Sequence, residues 1–150
     1  MKKLKLSSWL LLGIAVILLA GCGKKDEPIL PFSSLLPGVT AAEAQAAEPG
    51  ESESDTVYIV KKEYNGISLS AVIDDSRPGN GIIWSCAEED ADLDQLISEV
   101  RKYCDKRYQL VEENERNGSV NVLWEAGEYN IFMQDFTKSD KRQVDISILR

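Results

Sequence analysis

Alternation of apolar and polar positions marks the folded part of the chain from Thr56 onward. Val57 to Val60 fill both faces of an extended segment, Asn65-Gly66 follows, and Ile67, Leu69, Ala71 and Ile73 then alternate with polar residues. A two-residue period on either side of Asn-Gly predicts a hairpin with a type I′ turn, because both residues tolerate the positive φ that turn requires. Counting outward sets Tyr64 opposite Ile67, Val60 opposite Ala71 and Tyr58 opposite Ile73, so that one face is apolar apart from Lys62. Asp74 to Gly81, with Pro78, Gly79 and Asn80, reads as an exposed loop before Ile82, Ile83 and Trp84 resume the core.

The period then changes. Leu93, Leu96, Ile97, Val100, Tyr103, Cys104 and Tyr108 recur at steps of three and four, which predicts an amphipathic helix. Asp92 with Gln95 offers a capping box; Asp90 and Asp94 suit the positive end of the helix, and Arg101, Lys102, Lys106 and Arg107 the negative end. Beyond it Gln109–Asn114, Ser119–Glu125, Tyr129–Phe136 and Arg142–Leu149 read as strands, separated by Asn117-Gly118, Ala126-Gly127 and Lys138-Ser139-Asp140. Short reversals make consecutive strands antiparallel. The expected fold is therefore α+β, two-layer: an antiparallel sheet of about five to seven strands with one amphipathic helix packed on one face. One helix covers little sheet, so the other face is either solvated or available to bind.

Three regions emerge: a leader over residues 1–21, a flexible acidic linker over 22–55, and a small α+β domain over 56–150. Met1 to Leu6 are basic, Trp9 to Ala20 form an apolar run of 12 residues, and small residues follow. A run that short does not span a bilayer, which takes roughly 20 apolar residues. Its end, Leu19-Ala20-Gly21-Cys22, resembles the lipobox of bacterial lipoproteins. The resemblance covers residues 1–22 only, and implies that Cys22 is diacylated, becomes the first mature residue and anchors the chain to a cell membrane on its extracytoplasmic side. Two acyl chains hold a protein stably where one does not. Lys24 and Lys25 would then sit against anionic headgroups, or simply close the signal.

Pro28, Pro31, Pro37 and Pro49 interrupt residues 23–55, and Ala, Glu and Ser dominate after Thr40, which reads as a tether. Such a segment would extend to roughly 110 Å and leave the domain clear of the bilayer. Two features resist that reading. Ile29, Leu30, Phe32, Leu35, Leu36 and Val39 form an apolar patch able to dock on the domain, a partner or lipid; Thr40 with Glu43 matches a capping box ahead of Ala41 to Ala47.

Charge and composition narrow the function. The formal charge of −8 becomes −11 once Lys2, Lys3 and Lys5 leave with the leader, and so acidic a chain argues against a nucleic-acid partner. Histidine is absent, which removes Ser-His and Cys-His nucleophile pairs and His-liganded zinc. Cys86 and Cys104 remain as an even pair outside the cytoplasm, a possible disulfide. Against it, Cys104 lies far along the helix, roughly 20 Å from its start. Both then become small core residues. Asp74 and Asp75 are a possible ligand or metal loop, and Glu88, Glu89, Asp90, Asp92 and Asp94 a second acidic set that helix capping explains; neither has the EF-hand spacing. Trp84, Trp124, Tyr129, Phe132 and Phe136 suit either a binding platform or the core.

No catalytic side-chain set, metal or cofactor is indicated, and a domain of this size has little depth for a cleft. The expected role is that of a non-enzymatic module binding an envelope protein or wall component through the open sheet face or an edge strand. The alternative is a small-ligand or calcium sensor built on Asp74, Asp75 and the loop to Gly81.

Overall fold

A computed structural model describes residues 27–77, 79, 81–86, 92–138 and 142–150; the leader, Cys22 and the acidic residues Glu88 to Asp90 lie outside the described residues. The elements are α1 (Ala41–Ala47), β1 (Gly50–Ser54), β2 (Val57–Tyr64), β3 (Ile67–Asp74), β4 (Ile82–Cys86), α2 (Leu93–Arg107), β5 (Gln109–Arg116), β6 (Ser119–Ala126), β7 (Tyr129–Asp135) and β8 (Val144–Leu149). They form one antiparallel sheet of eight strands, one more than the upper expectation, with both helices beside it. No helix among the described residues is long and apolar enough to cross a membrane.

The β2–β3 hairpin has the register that its turn predicts, Tyr64 facing Ile67 and Tyr58 facing Ile73. Asn65 and Gly66 take φ of 52° and 79°, as a type I′ turn demands. Asn117 and Gly118 repeat the device between β5 and β6 at 51° and 76°. Asp92 caps α2 by accepting from the Gln95 backbone N–H at 3.0 Å; the Gln95 side chain turns away to Glu99.

Strand order is β1-β2-β3-β4-β8-β7-β6-β5. Two four-strand meanders thus meet at β4 and β8, and α2 carries the chain from the seam to the far edge. Four inter-strand steps amount to about 19 Å at the usual spacing, and the 15 residues of α2 span about 22 Å. The helix is long enough to cross the second meander and no more. Its buried stripe, Leu93, Leu96, Val100 and Cys104, lies on that half.

The first meander is covered by the segment read from sequence as linker. Leu30 is 0 % exposed, Phe32 and Leu35 5 %, and Ala41 and Ala44 are buried with them in the same core. The Phe32 ring meets Trp84 edge-on at 5.4 Å and Tyr64 at 5.5 Å. The boundary at residue 55 is therefore corrected: the domain extends back to the first described residues. The reason is the one that limits a single helix, since eight strands present more apolar surface than α2 can cover. The Thr40–Glu43 capping box is formed, with Thr40 Oγ1 accepting from the Glu43 N–H at 3.2 Å, and starts α1 on this surface.

β1 is the strand that the pattern did not predict. All five of its residues are exposed, so backbone pairing with β2 holds it without apolar alternation. Gly50 permits the approach, because a Cβ there would lie 2.1 Å from the Ile59 carbonyl oxygen.

Lys62, the cation on the apolar face, is answered from the same segment. Its Nζ pairs with Glu48, whose side chain is 7 % exposed and also accepts from Ser33 Oγ at 3.3 Å. Glu48→Ala would strand the lysine and the hydroxyl together. The expected loss in denaturant unfolding is about 2 to 3 kcal/mol, below the range for a fully buried pair because the lysine retains some solvent. The double replacement Glu48→Gln with Lys62→Met is expected within about 1 kcal/mol of the parent, since no charge is then left unpaired.

Candidate functional site

Both helices and the described N-terminal segment lie on one face, so among the described residues no helix covers the opposite face. Register defines its composition. One row across the sheet reads Ile59, Val72, Ile83, Ser147, Phe132 and Leu123; the next reads Lys61, Ser70, Ser85, Asp145, Gln134, Asn121 and Asn114. An apolar row therefore runs beside a polar one. Val72 and Ile83, on either side of the line between β3 and β4, are 59 % and 51 % exposed, while Ser147 in the same row is buried. The polar row is tied together by its amides, Gln134 Nε2 donating to Asn121 Oδ1 at 3.3 Å and Asn121 Nδ2 to Asn114 Oδ1 at 3.2 Å.

The face is not flat. β3 and β4 pair only at Ser70 with Ser85 and Ala71 with Trp84, and beyond that point the strands part. Each follows its other neighbour. β3 stays in register with β2 as far as Asp74, and its end is held by the Asp75 N–H donating to the Thr56 carbonyl at 2.9 Å. β4 is drawn onto β8, where Gly81 comes so close to Ile148 that a Cβ would sit 2.5 Å from its carbonyl oxygen. The result is a wedge-shaped hollow of about 690 Å³. Val72, Ile73, Ile82, Ile83 and Leu149 supply its apolar wall, Gly38 to Thr40 line it from the covered side, and Asp74, Asp75 and Arg77 stand at its rim.

Asp74 and Asp75 thus border a cavity, but each is already engaged by the chain. Asp74 Oδ1 accepts from Ser76 N–H at 2.9 Å and Ser76 Oγ at 2.6 Å; these bonds hold its carboxyl below the usual range, with Arg77 at 3.6 Å adding to the effect. Asp75 Oδ1 accepts from the Ala41 N–H at 2.7 Å and caps the start of α1. In the structure Asp74 closes a turn and Asp75 caps a helix, the turn being the reading set beside the possible ligand loop. Among the described residues no group of three or more His, Cys, Asp or Glu side chains is placed to hold a metal ion.

The remaining candidates separate by face. Trp84 and Trp124 are fully buried on the covered side, where Trp124 Nε1 donates to Asp105 at 2.7 Å. Phe132 and Phe136 belong to the open face and line a second hollow of about 450 Å³ with Leu123 and the amides. The five aromatics therefore do not make one platform. Cys86 and Cys104 are both buried, and Cys104 is a thiol rather than half of a bridge, its burial pushing it up to about 12. Cys104 sits in the apolar stripe of α2 as a small core residue, the reading that the helix geometry set against a disulfide.

Sequence reasoning missed the wedge, for which only Gly81 and the apolar pair Ile82-Ile83 give any signal: consecutive apolar residues on a strand place one on each face. Comparison with protein-family models, with curated proteins and with solved structures returned no match.

Proposed function

We propose that the chain is an extracytoplasmic lipoprotein, anchored at Cys22, whose domain is a non-enzymatic module binding another protein of the envelope through its open sheet face. The observation that carries the reading is the exposed apolar pair Val72 and Ile83 on a sheet face that no described helix covers. Apolar side chains beside a row of amides and hydroxyls suit a protein segment, with the apolar row supplying burial and the polar row orientation. A glycan of the wall is favoured less. Sugars stack on broad exposed aromatic faces, and both tryptophans of the domain are buried on the far side, which leaves the half-buried Phe132 and Phe136 on the open face.

A small-ligand reading has one observation of its own, the wedge between β3 and β4. Its volume falls within the range of small-molecule sites, and its walls are mostly apolar with a polar rim.

One experiment separates the two. A photo-crosslinking side chain at Leu123, on the same row but outside the wedge, is expected to capture one envelope protein in cells. Val72→Asp with Ile83→Asp should abolish the adduct without lowering the melting temperature appreciably, since exposed substitutions change stability by less than about 0.5 kcal/mol each. An adduct that survives the double substitution, or that forms equally from Ser98 on the outer side of α2, would reject the open face as the binding surface.

A further inference from the structure

The chain enters the domain at a fixed point. Glu27 pairs with Arg107 Nε at 2.9 Å, the Tyr103 hydroxyl donates to the Pro28 carbonyl, and the Tyr108 hydroxyl donates to the Ile29 carbonyl at 3.0 Å. The Arg107 guanidinium lies 3.8 Å over the Tyr103 ring, so the holding residues brace one another. All three belong to the last turn of α2 or its cap. The N-terminal chain thus leaves from the helix layer, at the C-terminal end of α2.

Only Gly23, Lys24, Lys25 and Asp26 separate Cys22 from Glu27. Their five backbone steps reach at most about 18 Å. A tether that short, leaving from the helix layer, keeps the C-terminal end of α2 within about 18 Å of the acylated residue.

Charge selects the same side. Arg101 to Arg107 contain four cations and one carboxylate, Asp105, in a chain that is otherwise strongly acidic. Arg101 is used by Glu113 and Asp105 accepts from Trp124. Lys102 and Lys106 are exposed and one turn apart, on the side of α2 opposite Leu96 and Val100. They lie beside the residues that hold the chain entry.

We propose that the acylated protein rests on the bilayer with the outer face of the C-terminal half of α2 against anionic lipid headgroups, contacted by Lys102 and Lys106, and with the open sheet face directed away from the membrane. This rests on acylation of Cys22. The tether length brings the surface within reach of the headgroups, and the lysines make it the face that an anionic surface attracts. The open face is thereby presented to partners rather than to lipid.

The test uses the full acylated chain in vesicles of phosphatidylcholine with and without phosphatidylglycerol, carrying a quencher on the headgroup. Ser98→Cys on the outer side of α2 and Ser70→Cys on the open face each accept a fluorophore at an exposed position, while Cys86 and Cys104 are buried. The probe at residue 98 is expected to be quenched about threefold more than the probe at residue 70 in anionic vesicles, and Lys102→Glu with Lys106→Glu to remove the excess that phosphatidylglycerol contributes. Equal quenching at the two positions, or stronger quenching at residue 70, would overturn the orientation. Mass spectrometry of the same sample keeps the two ideas apart: an unacylated N-terminus downstream of Cys22 overturns the anchor and the orientation with it, whereas an acylated chain with equal quenching overturns the orientation alone.

Discussion

A chain beginning at Thr56 is expected to lose cooperative unfolding, whereas one beginning at Glu27 keeps it. Removing residues 27–55 uncovers the first meander from Tyr58 to Trp84 and deletes Leu30, Phe32, Leu35, Ala41 and Ala44 from the core. Burial of a large apolar side chain stabilises by about 1.5 to 3 kcal/mol, so three such residues supply about 4.5 to 9 kcal/mol, comparable with the lower half of the 5 to 15 kcal/mol that holds a small domain together. Loss of Glu48 also strands Lys62, and loss of β1 bares the edge of β2. Within the intact chain Phe32→Ala alone should cost about 3 to 5 kcal/mol, because the ring fills the space between Tyr64 and Trp84 and leaves a cavity. Urea unfolding followed by tryptophan fluorescence decides the matter. A chain from Thr56 that unfolded cooperatively within about 2 kcal/mol of the longer one would show that the segment contributes little to the core.

Leu96→Ala is expected to cost about 2 to 5 kcal/mol. Leu96 is 0 % exposed in the middle of the α2 stripe, between Leu93 and Val100, and among the described residues α2 is the one helix over the second meander. The cavity would lie beneath an element crossing β5 to β8, where neighbouring strands cannot collapse into it without breaking their pairing. Lys102→Ala, on the outer side of the same helix, should change stability by less than about 0.5 kcal/mol. That contrast tests the orientation of the helix on which the bare opposite face depends. A neutral Leu96→Ala beside a severe Lys102→Ala would mean that α2 faces the other way.

Several parts of the fold were legible from neighbouring residues. The Asn65-Gly66 turn set the β2–β3 register, Asn117-Gly118 reversed β5 into β6, Asp92 capped α2, and Thr40 with Glu43 started α1. Each is a matter of backbone conformation or side-chain spacing within a few residues, so each is written in the chain where it occurs. The absence of histidine is of the same kind.

What remained was decided by surfaces that exist only after folding. Ile29 to Leu35 follow neither period of regular structure, because they pack as an irregular strap whose shape is dictated by the uncovered first meander. β1 carries no apolar alternation because both of its faces are exposed and backbone pairing with β2, joined by the Glu51–Lys61 ion pair, holds it. The strand order, with β8 returning to the centre beside β4, depends on how far α2 reaches. The parting of β3 from β4 arises where two neighbours pull in different directions, Thr56 on one side and Ile148 on the other. Asp74 and Asp75 are adjacent in the chain, yet they serve different places in the fold, Asp74 the turn at Ser76 and Asp75 the start of α1 at Ala41. Turn chemistry and periodicity are short-range and survive in the sequence, whereas docking is a property of two surfaces, and the residues of one do not name the other.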